Sequence, residues 1–222
     1  MNADCTDSTH NDDAPYYDKQ VAEHGCHGHE VLFGLMYEYV KPGETLLDIG
    51  IGTGLASFLF HKAGLRISGF DSSREMLAVC ESKGFAAQLI QHDLLCVPYP
   101  YAVDSFNHVI SLGVLNFFAD LAPVFEETAR IIRPQGIFAF SVEEQKQAQP
   151  AEYVFRVGGD PGESNGEIAV SMHRHSDGHI RELLARHGFT PLKDYEFLAD
   201  RYPSEGIDVY FNAYVAQRVQ NT

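Results

Sequence analysis

Three glycines and one aspartate lie together in the segment LLDIGIGTG, which covers residues 46–54. Asp48 is followed by Gly50, Gly52 and Gly54 at every second position. Glycine adopts backbone dihedral angles that other residues avoid, and it lets a ligand approach the main chain closely. Because a buried strand precedes the glycines and a helix follows them, free N–H groups at the helix start face the same ligand. The segment therefore predicts a binding loop for a nucleotide-like molecule.

The spacing of these glycines differs from the dinucleotide-binding fingerprint G-x-G-x-x-G and from its alanine variant. The third glycine comes one position early, and Leu55 occupies the place that the fingerprint reserves for glycine or alanine. Two more aspartates, Asp71 and Asp93, end the second and third predicted strands. Since ligands of such sheets bind at the carboxyl ends of the strands, we expect these acids and Asp48 to surround one cleft.

Strands and helices alternate regularly through the first two thirds of the chain. This rhythm predicts right-handed crossovers and a parallel sheet. It breaks at residues 145–168, where Gly, Pro, Glu and Gln dominate, and we interpret this segment as an insertion over the ligand-binding edge. A helix with Ser176 as its N-cap follows. The segments FTPLKDYEFLA and GIDVYFNAYVAQR are then predicted to form a closing antiparallel hairpin.

Composition argues against several classes of partner. The chain has 16 Lys and Arg against 31 Asp and Glu, a formal net charge of −15. A surface this acidic repels phosphate groups, so neither nucleic acid nor an anionic membrane is an expected partner. The sequence has no apolar run near the ~20 residues of a membrane span, and its polar first residues do not resemble a signal peptide. With four cysteines and no CxxC spacing, we expect reduced thiols in the cytoplasm.

Four sequence segments make the chain resemble a class I S-adenosylmethionine-dependent methyltransferase of the type 11, small-molecule kind, because they follow one another in the order typical of that family. They are LLDIGIGTG, ISGFDSSREML, LIQHDLL, and SLGVLNFF followed by RIIRPQGIF. The resemblance is good over about residues 16–143 and loose elsewhere. It implies an α/β fold with a doubly wound, mostly parallel seven-stranded sheet, an N-terminal helical lid and an insertion after the fifth strand. It also implies S-adenosyl-L-methionine as cofactor, S-adenosyl-L-homocysteine as product and a small molecule as substrate.

The resemblance also implies roles for individual residues. Asp48 receives the α-ammonium group of the cofactor, Asp71 accepts both ribose hydroxyls, and Asp93 accepts the adenine amino group. The predicted cofactor-binding residues are Tyr17, Asp48, Gly50, Gly52, Gly54, Asp71, Ser72, Met76, Asp93, Leu94, Ser111 and Leu112. The predicted substrate-binding residues are Asn116, Phe117 and Tyr153. Asn116 and Phe117 stand where many relatives carry a histidine or an acid, so no relative's substrate can be transferred to this chain.

The predicted organisation is a disordered tail followed by one methyltransferase domain. The tail covers residues 1–13, which are polar and lack periodicity. The domain covers residues 14–222. Its predicted parts are the lid helices (14–40), the cofactor-binding core (41–144), the substrate-side insertion (145–175) and the C-terminal helix with antiparallel strands (176–222).

Histidines supply the remaining candidates for chemistry. His175 is the predicted general base, since a neutral imidazole near the acceptor can take a proton; a solvent-facing strand end is the alternative. The segment HGCHGHE holds four residues of metal-binding type. These are His24, Cys26, His27 and His29. Their spacing matches no standard site, and we predict no metal.

Three functions remain open on the sequence alone. The first is methyl transfer to a small-molecule O, N, S or C nucleophile, by a monomer or homodimer. The second is a protein or peptide methyltransferase, and the third is a non-catalytic binder of the cofactor. A narrow pocket beside the methyl group would favour the first, an open channel the second, and a blocked methyl position the third.

Overall fold

The computed structural model describes residues 14–146, 148–157, 168–202 and 207–219. The predicted disordered tail and the middle of the predicted insertion lie outside these residues. No helix in the described part of the chain is both long and apolar enough to cross a bilayer.

A seven-stranded sheet forms the centre of the fold. The strands in chain order are β1 (Thr45–Ile49), β2 (Arg66–Asp71), β3 (Gln88–Gln91), β4 (Phe106–Ser111), β5 (Ile132–Glu143), β6 (Glu152–Val157), β7 (Ile168–His173), β8 (Phe189–Tyr202) and β9 (Ile207–Arg218). The sheet order is β3-β2-β1-β4-β5-β9-β8, and β6 and β7 pair separately. Strands β1 to β5 run parallel, whereas β8 and β9 are antiparallel to their neighbours. The predicted doubly wound, mostly parallel α/β fold is confirmed.

The described residues also form six α-helices and one 3₁₀ turn, of which the first two helices precede β1 and the others lie between strands. They are α1 (Tyr17–Glu23), α2 (Gly28–Met36), α3 (Leu55–Lys62), α4 (Arg74–Ser82), the 3₁₀ turn Leu115–Phe117, α5 (Ala122–Ile131) and α6 (Asp177–Arg186). Two of the helices start at a serine cap. The Ser73 hydroxyl accepts a hydrogen bond from the Met76 N–H at 3.1 Å, and the Ser176 hydroxyl accepts one from the His179 N–H at 3.3 Å. The predicted Ser176 cap is confirmed.

Both faces of the sheet are covered by helices, which explains the continuous apolar runs in its central strands. Leu47 of β1 packs on the face covered by α5 and α6, next to Phe125. Leu46, its neighbour in the chain, packs on the opposite face with Phe60 of α3. Each fully buried side chain of this size contributes about 1.5–3 kcal/mol. The carboxyl ends of the strands are therefore held on a rigid support.

Two segments differ from their predicted form. Strand β5 begins at Ile132, before the predicted GIFAFSVEE, because a bulge against β4 accommodates the extra residues. Gly136 is needed there, since a Cβ would lie 2.5 Å from the carbonyl oxygen of Asn107. The predicted irregular insertion contains an antiparallel strand pair, β6 and β7, which starts where Glu152 pairs with His173.

Candidate functional site

A cleft of about 710 Å³ opens at the carboxyl ends of β1, β2 and β3. This volume falls within the usual range for small-molecule sites. The lining includes most of the predicted site residues: Tyr17, Asp48, Gly50, Gly52, Asp71, Ser72, Met76, Asp93, Leu94, Leu112, Asn116, Phe117 and Tyr153. Residues from β1, β2, the 3₁₀ turn and β6 thus converge on one space. Their roles in ligand binding stay predictions.

The glycine loop after β1 is tied to the end of β2. The N–H groups of Gly50 and Ile51 both donate to the carbonyl oxygen of Phe70, at 2.9 and 3.0 Å. Gly50 has a φ of +72°, and a Cβ on it would lie 2.5 Å from the Val114 side chain. Only glycine meets both demands. The loop therefore has a fixed shape that presents its backbone to the cleft.

Asp48 is a buried carboxyl group in the wall of the cleft, with 2% of its surface exposed. The hydroxyl of Ser57 donates a hydrogen bond to its Oδ2. Burial and, to a smaller extent, the charge of the nearby Asp71 raise the pKa of Asp48 to about 7, although the hydrogen bond from Ser57 lowers it in part. A cationic ligand placed beside it would favour the ionised form.

Asp71 organises two loops around the cleft. Its Oδ2 accepts a hydrogen bond from the Gly52 N–H at 2.8 Å, and its Oδ1 accepts one from the Ser73 N–H at 2.9 Å. These bonds fix the orientation of the carboxylate at the end of β2. Asp93 is held similarly, because its Oδ1 accepts from the Leu95 N–H at 2.8 Å.

The charge of the cleft selects the kind of ligand that it can hold. Four carboxyl groups line it, and the described residues that line it include no lysine or arginine. They are Asp48, Asp71, Asp93 and Asp200. A pyrophosphate needs cationic or N–H donors, whereas a sulfonium or ammonium group is attracted by carboxylates. The electrostatics therefore favour a cationic nucleoside over a dinucleotide.

Helix α1 covers one side of the cleft and is anchored through Asp18. The carboxylate of Asp18 accepts a hydrogen bond from the Thr53 hydroxyl on the glycine loop and pairs with Lys83 at the end of α4. Tyr17, the next residue, faces the cleft. Burial and then the charge of Asp200 raise the pKa of Tyr17 to about 12, so its hydroxyl stays neutral. Helix α1 thus borders the cleft, and its action as a lid stays a prediction.

The far end of the cleft carries an unsatisfied polar group. Asn116 is 2% exposed, and its Oδ1 has no hydrogen-bond partner among the described residues. Its Nδ2 lies 3.9 Å from the sulfur of Met172, which is a weak contact. A buried carbonyl oxygen without a partner is costly, and a ligand N–H or O–H group would relieve that cost. Phe117 and Tyr153 complete this end of the cleft.

A buried ion pair between Glu143 and Arg174 holds the side chain of Tyr153 in place. The Tyr153 hydroxyl donates to Glu143 Oε2 at 2.6 Å, and Arg174 Nε donates to Glu143 Oε1 at 2.7 Å. The guanidinium carbon of Arg174 lies 3.9 Å from the centre of the Tyr153 ring. The pKa of Tyr153 is raised by its burial and by the hydrogen bond to Glu143. The phenol is therefore held in one orientation and stays protonated.

Two predicted cofactor-binding residues, Gly54 and Ser111, are absent from the described lining of the cleft. Gly54 caps α3 in a left-handed conformation and faces Phe85 and Cys80 in the helical layer. Ser111 is fully buried, and its hydroxyl donates to the carbonyl oxygen of Ile49 at 3.0 Å. Their predicted contact with a cofactor stays a prediction.

His175, the predicted general base, is also absent from the described residues that line the cleft. It is 4% exposed, and burial lowers its pKa, although hydrogen bonds to the backbone of Leu115 and Phe118 raise it again in part. The imidazole is thus neutral and braces the 3₁₀ turn that carries Asn116 and Phe117. Its role as a general base stays a prediction.

One wall of the cleft is formed by residues for which the sequence predicts no role in a site. This wall comes from β8 and β9 and consists of Phe197, Ala199, Asp200, Val209 and Phe211. The side of the cleft nearest the predicted lid is lined by His24, Cys26 and His29. They belong to the segment HGCHGHE, for which the sequence predicts no metal. The wall gave no signal because its residues alternate in an antiparallel hairpin like those of any half-buried strand.

The central part of the chain is similar to known methyltransferases. A family described as "Methyltransferase domain" matches residues 47–140. Malonyl-[acyl-carrier protein] O-methyltransferase of Serratia marcescens is 34% identical over 45% of this chain and 38% of that protein. Demethylmenaquinone methyltransferase of Oceanobacillus iheyensis is 35% identical over 44% of this chain and 43% of that protein. The chain therefore spans about two fifths of the length of these curated relatives.

Solved structures share the fold over most of the chain. The 1,6-didemethyltoxoflavin-N1-methyltransferase of Burkholderia thailandensis, solved with 1,6-didemethyltoxoflavin and S-adenosylhomocysteine, superposes with a TM-score of 0.65. The alignment covers 95% of this chain and 84% of that one at 16% identity. Such a likeness establishes the fold that the four sequence segments predict.

Proposed function

We propose that this chain, which contains a class I S-adenosylmethionine-dependent methyltransferase domain, transfers a methyl group from S-adenosyl-L-methionine to a small molecule. One observation carries the proposal: a cleft with four carboxyl groups, and with no lysine or arginine among its described lining residues, lies at the carboxyl ends of β1 to β3. The carboxyl groups of such a cleft attract a cationic nucleoside and repel a nucleotide that carries phosphate groups.

The residues present fit this cofactor. Asp71 is held by two N–H groups at the end of β2, where a carboxylate can accept ribose hydroxyls. Asp48 lies buried beside the glycine loop, where an ammonium group of the cofactor would stabilise its ionised carboxylate. Asp93 and Leu94 follow β3, at the place proposed for the adenine ring. Tyr17 closes the cleft from the lid.

Catalysis in this proposal depends mainly on positioning. When bound, the cofactor supplies an electrophilic methyl group on a sulfonium, and the acceptor must approach it in line. The cleft would hold cofactor and acceptor side by side, and such positioning can supply a large part of the rate enhancement. Phe117 and Tyr153 orient the acceptor by packing, and the Glu143–Arg174 pair fixes Tyr153.

The part of the cleft lined by Asn116, Phe117 and Tyr153 suits a small-molecule acceptor that carries a hydrogen-bond donor. The buried Oδ1 of Asn116 lacks a partner among the described residues, so an acceptor N–H or O–H group would satisfy it. The neighbouring aromatic and thioether groups suit an apolar or aromatic body. The curated relatives are named for malonyl-acyl carrier protein and demethylmenaquinone, and the solved neighbour holds a small heterocycle.

Transfer of label tests the proposal directly. The protein is incubated with methyl-labelled S-adenosyl-L-methionine and either the small-molecule or the protein fraction of a cell extract. We expect labelled products in the small-molecule fraction, identified by mass spectrometry. Label confined to the protein fraction would favour a protein methyltransferase, and cofactor binding without any transfer would favour a non-catalytic binder.

Gly52→Ala should abolish cofactor binding at a modest cost in stability. Gly52 has a φ of +52° and open space in place of a Cβ, on the side where the cleft lies. A methyl group there enters the proposed cofactor space, and the left-handed backbone costs about 1–2 kcal/mol. Calorimetric titration with S-adenosyl-L-homocysteine measures the binding, and urea unfolding measures the stability.

Gly43→Ala is the matched control for this substitution. Gly43 has a φ of +89° and equally open surroundings, but it lies exposed in the turn before β1. Both variants should lose a similar amount of stability, and only Gly52→Ala should lose affinity. Equal affinities in the two variants would argue against a cofactor at the glycine loop.

A further inference from the structure

We propose that His24, Cys26 and Asp200 form a zinc site that fastens the lid to the sheet. The Nδ1 of His24 lies 3.1 Å from Asp200 Oδ1, and the Cys26 sulfur lies 3.3 Å from the same oxygen. One donor atom from each residue lies within 4.8 Å of the other two. The three residues come from opposite ends of the chain, separated by 174 and 176 positions.

The spacing of the donors fits a tetrahedral ion. With zinc bonds of about 2.0–2.3 Å, the edges of a ligand tetrahedron measure roughly 3.3–3.7 Å. The two donor separations to Asp200 Oδ1 already have nearly this length, and the donor atoms of His24 and Cys26 lie within 4.8 Å of each other. The three donors can therefore occupy three corners of such a tetrahedron.

The chemistry of the donors selects the metal. A thiolate and an imidazole bind zinc and disfavour magnesium and calcium, which prefer oxygen alone. The thiolate of Cys26 and the carboxylate of Asp200 would together balance the charge of a divalent ion. All three residues border the cleft, so a fourth coordination position can face its interior.

The site joins two elements that already pack closely. His24 ends α1, and Cys26 lies in the connector to α2, whereas Asp200 lies on β8. A Cβ on Gly28, just after the connector, would lie 2.8 Å from the ring of Phe197 on the same strand. The metal would therefore bind across an existing contact and hold Tyr17 of α1 over the cleft.

Metal binding is tested on the full chain after removal of metal with a chelator. Zinc is titrated in competition with a chromophoric chelator, and we expect one equivalent to bind per chain. Cys26→Ser, His24→Gln and Asp200→Asn should each weaken binding by ~10-fold or more. Cobalt used in place of zinc should show a thiolate charge-transfer absorption that disappears in Cys26→Ser.

Two variants serve as matched controls. His27→Gln removes a histidine of the same connector, whose Nδ1 already lies 2.6 Å from Glu30. Cys96→Ser removes an exposed free cysteine elsewhere. Both should bind zinc like the wild type. No zinc binding by the wild type, or equal loss in His27→Gln, would overturn the proposed site.

The effect on the lid rests on the proposed function and has its own measurement. Because coupling between two sites is reciprocal, zinc should raise the affinity for S-adenosyl-L-homocysteine by the factor by which that ligand raises zinc affinity. Zinc binding with an unchanged affinity for S-adenosyl-L-homocysteine would overturn the coupling. Zinc binding without any binding of S-adenosyl-L-homocysteine would contradict the proposed function instead and leave the metal site standing.

Discussion

Arg174→Leu should destabilise the protein by about 3–5 kcal/mol. Arg174 and Glu143 form an ion pair whose side chains are 14% and 9% exposed, and Tyr153 donates to the same carboxylate. Removal of the guanidinium leaves Glu143 buried with a single hydrogen-bond donor in the described network. A buried charge without its partner carries a penalty of this size. Urea unfolding at neutral pH measures the change in the free energy of unfolding.

Arg181→Leu provides the comparison for this variant. Arg181 pairs with Asp177 and Asp194, but the side chains of all three are more than 40% exposed. Exposed pairs contribute about 0–1 kcal/mol, so the substitution should be nearly neutral. The double variant Glu143→Gln/Arg174→Leu should recover much of the loss, because no unpaired charge remains. Equal effects of the two arginine substitutions would show that the Glu143 pair is not buried as described.

The second large effect is a dependence of stability on pH that Asp48 alone should cause. Burial raises its pKa from 3.8 in the unfolded reference to about 7 in the folded protein. Between these values the folded state binds a proton that the unfolded state has lost, so stability falls as the pH rises. The contribution is complete below pH 3.8 and is lost as the pH passes about 7. From pH 5 to pH 8 the loss amounts to roughly 3 kcal/mol.

Asp48→Asn isolates this contribution. The amide resembles the protonated carboxyl group in shape and keeps an oxygen for the Ser57 hydroxyl, but it does not titrate in this range. All other titrating groups are shared, so the wild type should lose about 3 kcal/mol more than the variant between pH 5 and pH 8. Urea unfolding at the two pH values gives the difference. Parallel pH dependences would show that Asp48 is ionised in the folded protein throughout.

The sequence predicted the core of the fold because its signals are local. The strand before Asp48, the glycines after it and the helix that follows are adjacent in the chain, and the same holds at Asp71 and Asp93. Parallel pairing then brings all three to one edge of the sheet, since their strands are neighbours in the order β3-β2-β1. No long-range information was needed to place these residues together.

The parts that the sequence did not predict depend on contacts between distant segments. Asp200 joins the cleft only because β8 pairs antiparallel beside β9 and brings it next to Cys26, 174 positions away. His175 likewise owes its burial to a bridge that pairs its strand end with Glu144, 31 positions earlier in the chain. Composition and local spacing do not indicate whether a side chain on a distant strand faces the cleft.

The most direct test of the account is the affinity of the wild type and of Asp71→Asn for S-adenosyl-L-homocysteine, measured by calorimetry. Asp120→Asn is the control, because Asp120 also accepts a backbone N–H two residues later, at 2.9 Å, but lies exposed outside the cleft. The account predicts one site per chain in the wild type, a loss of about 1–3 kcal/mol in Asp71→Asn, and no change in the control. Wild-type affinity in Asp71→Asn, or no binding by the wild type, would contradict the claim that a sulfonium nucleoside lies across the ends of β1 to β3.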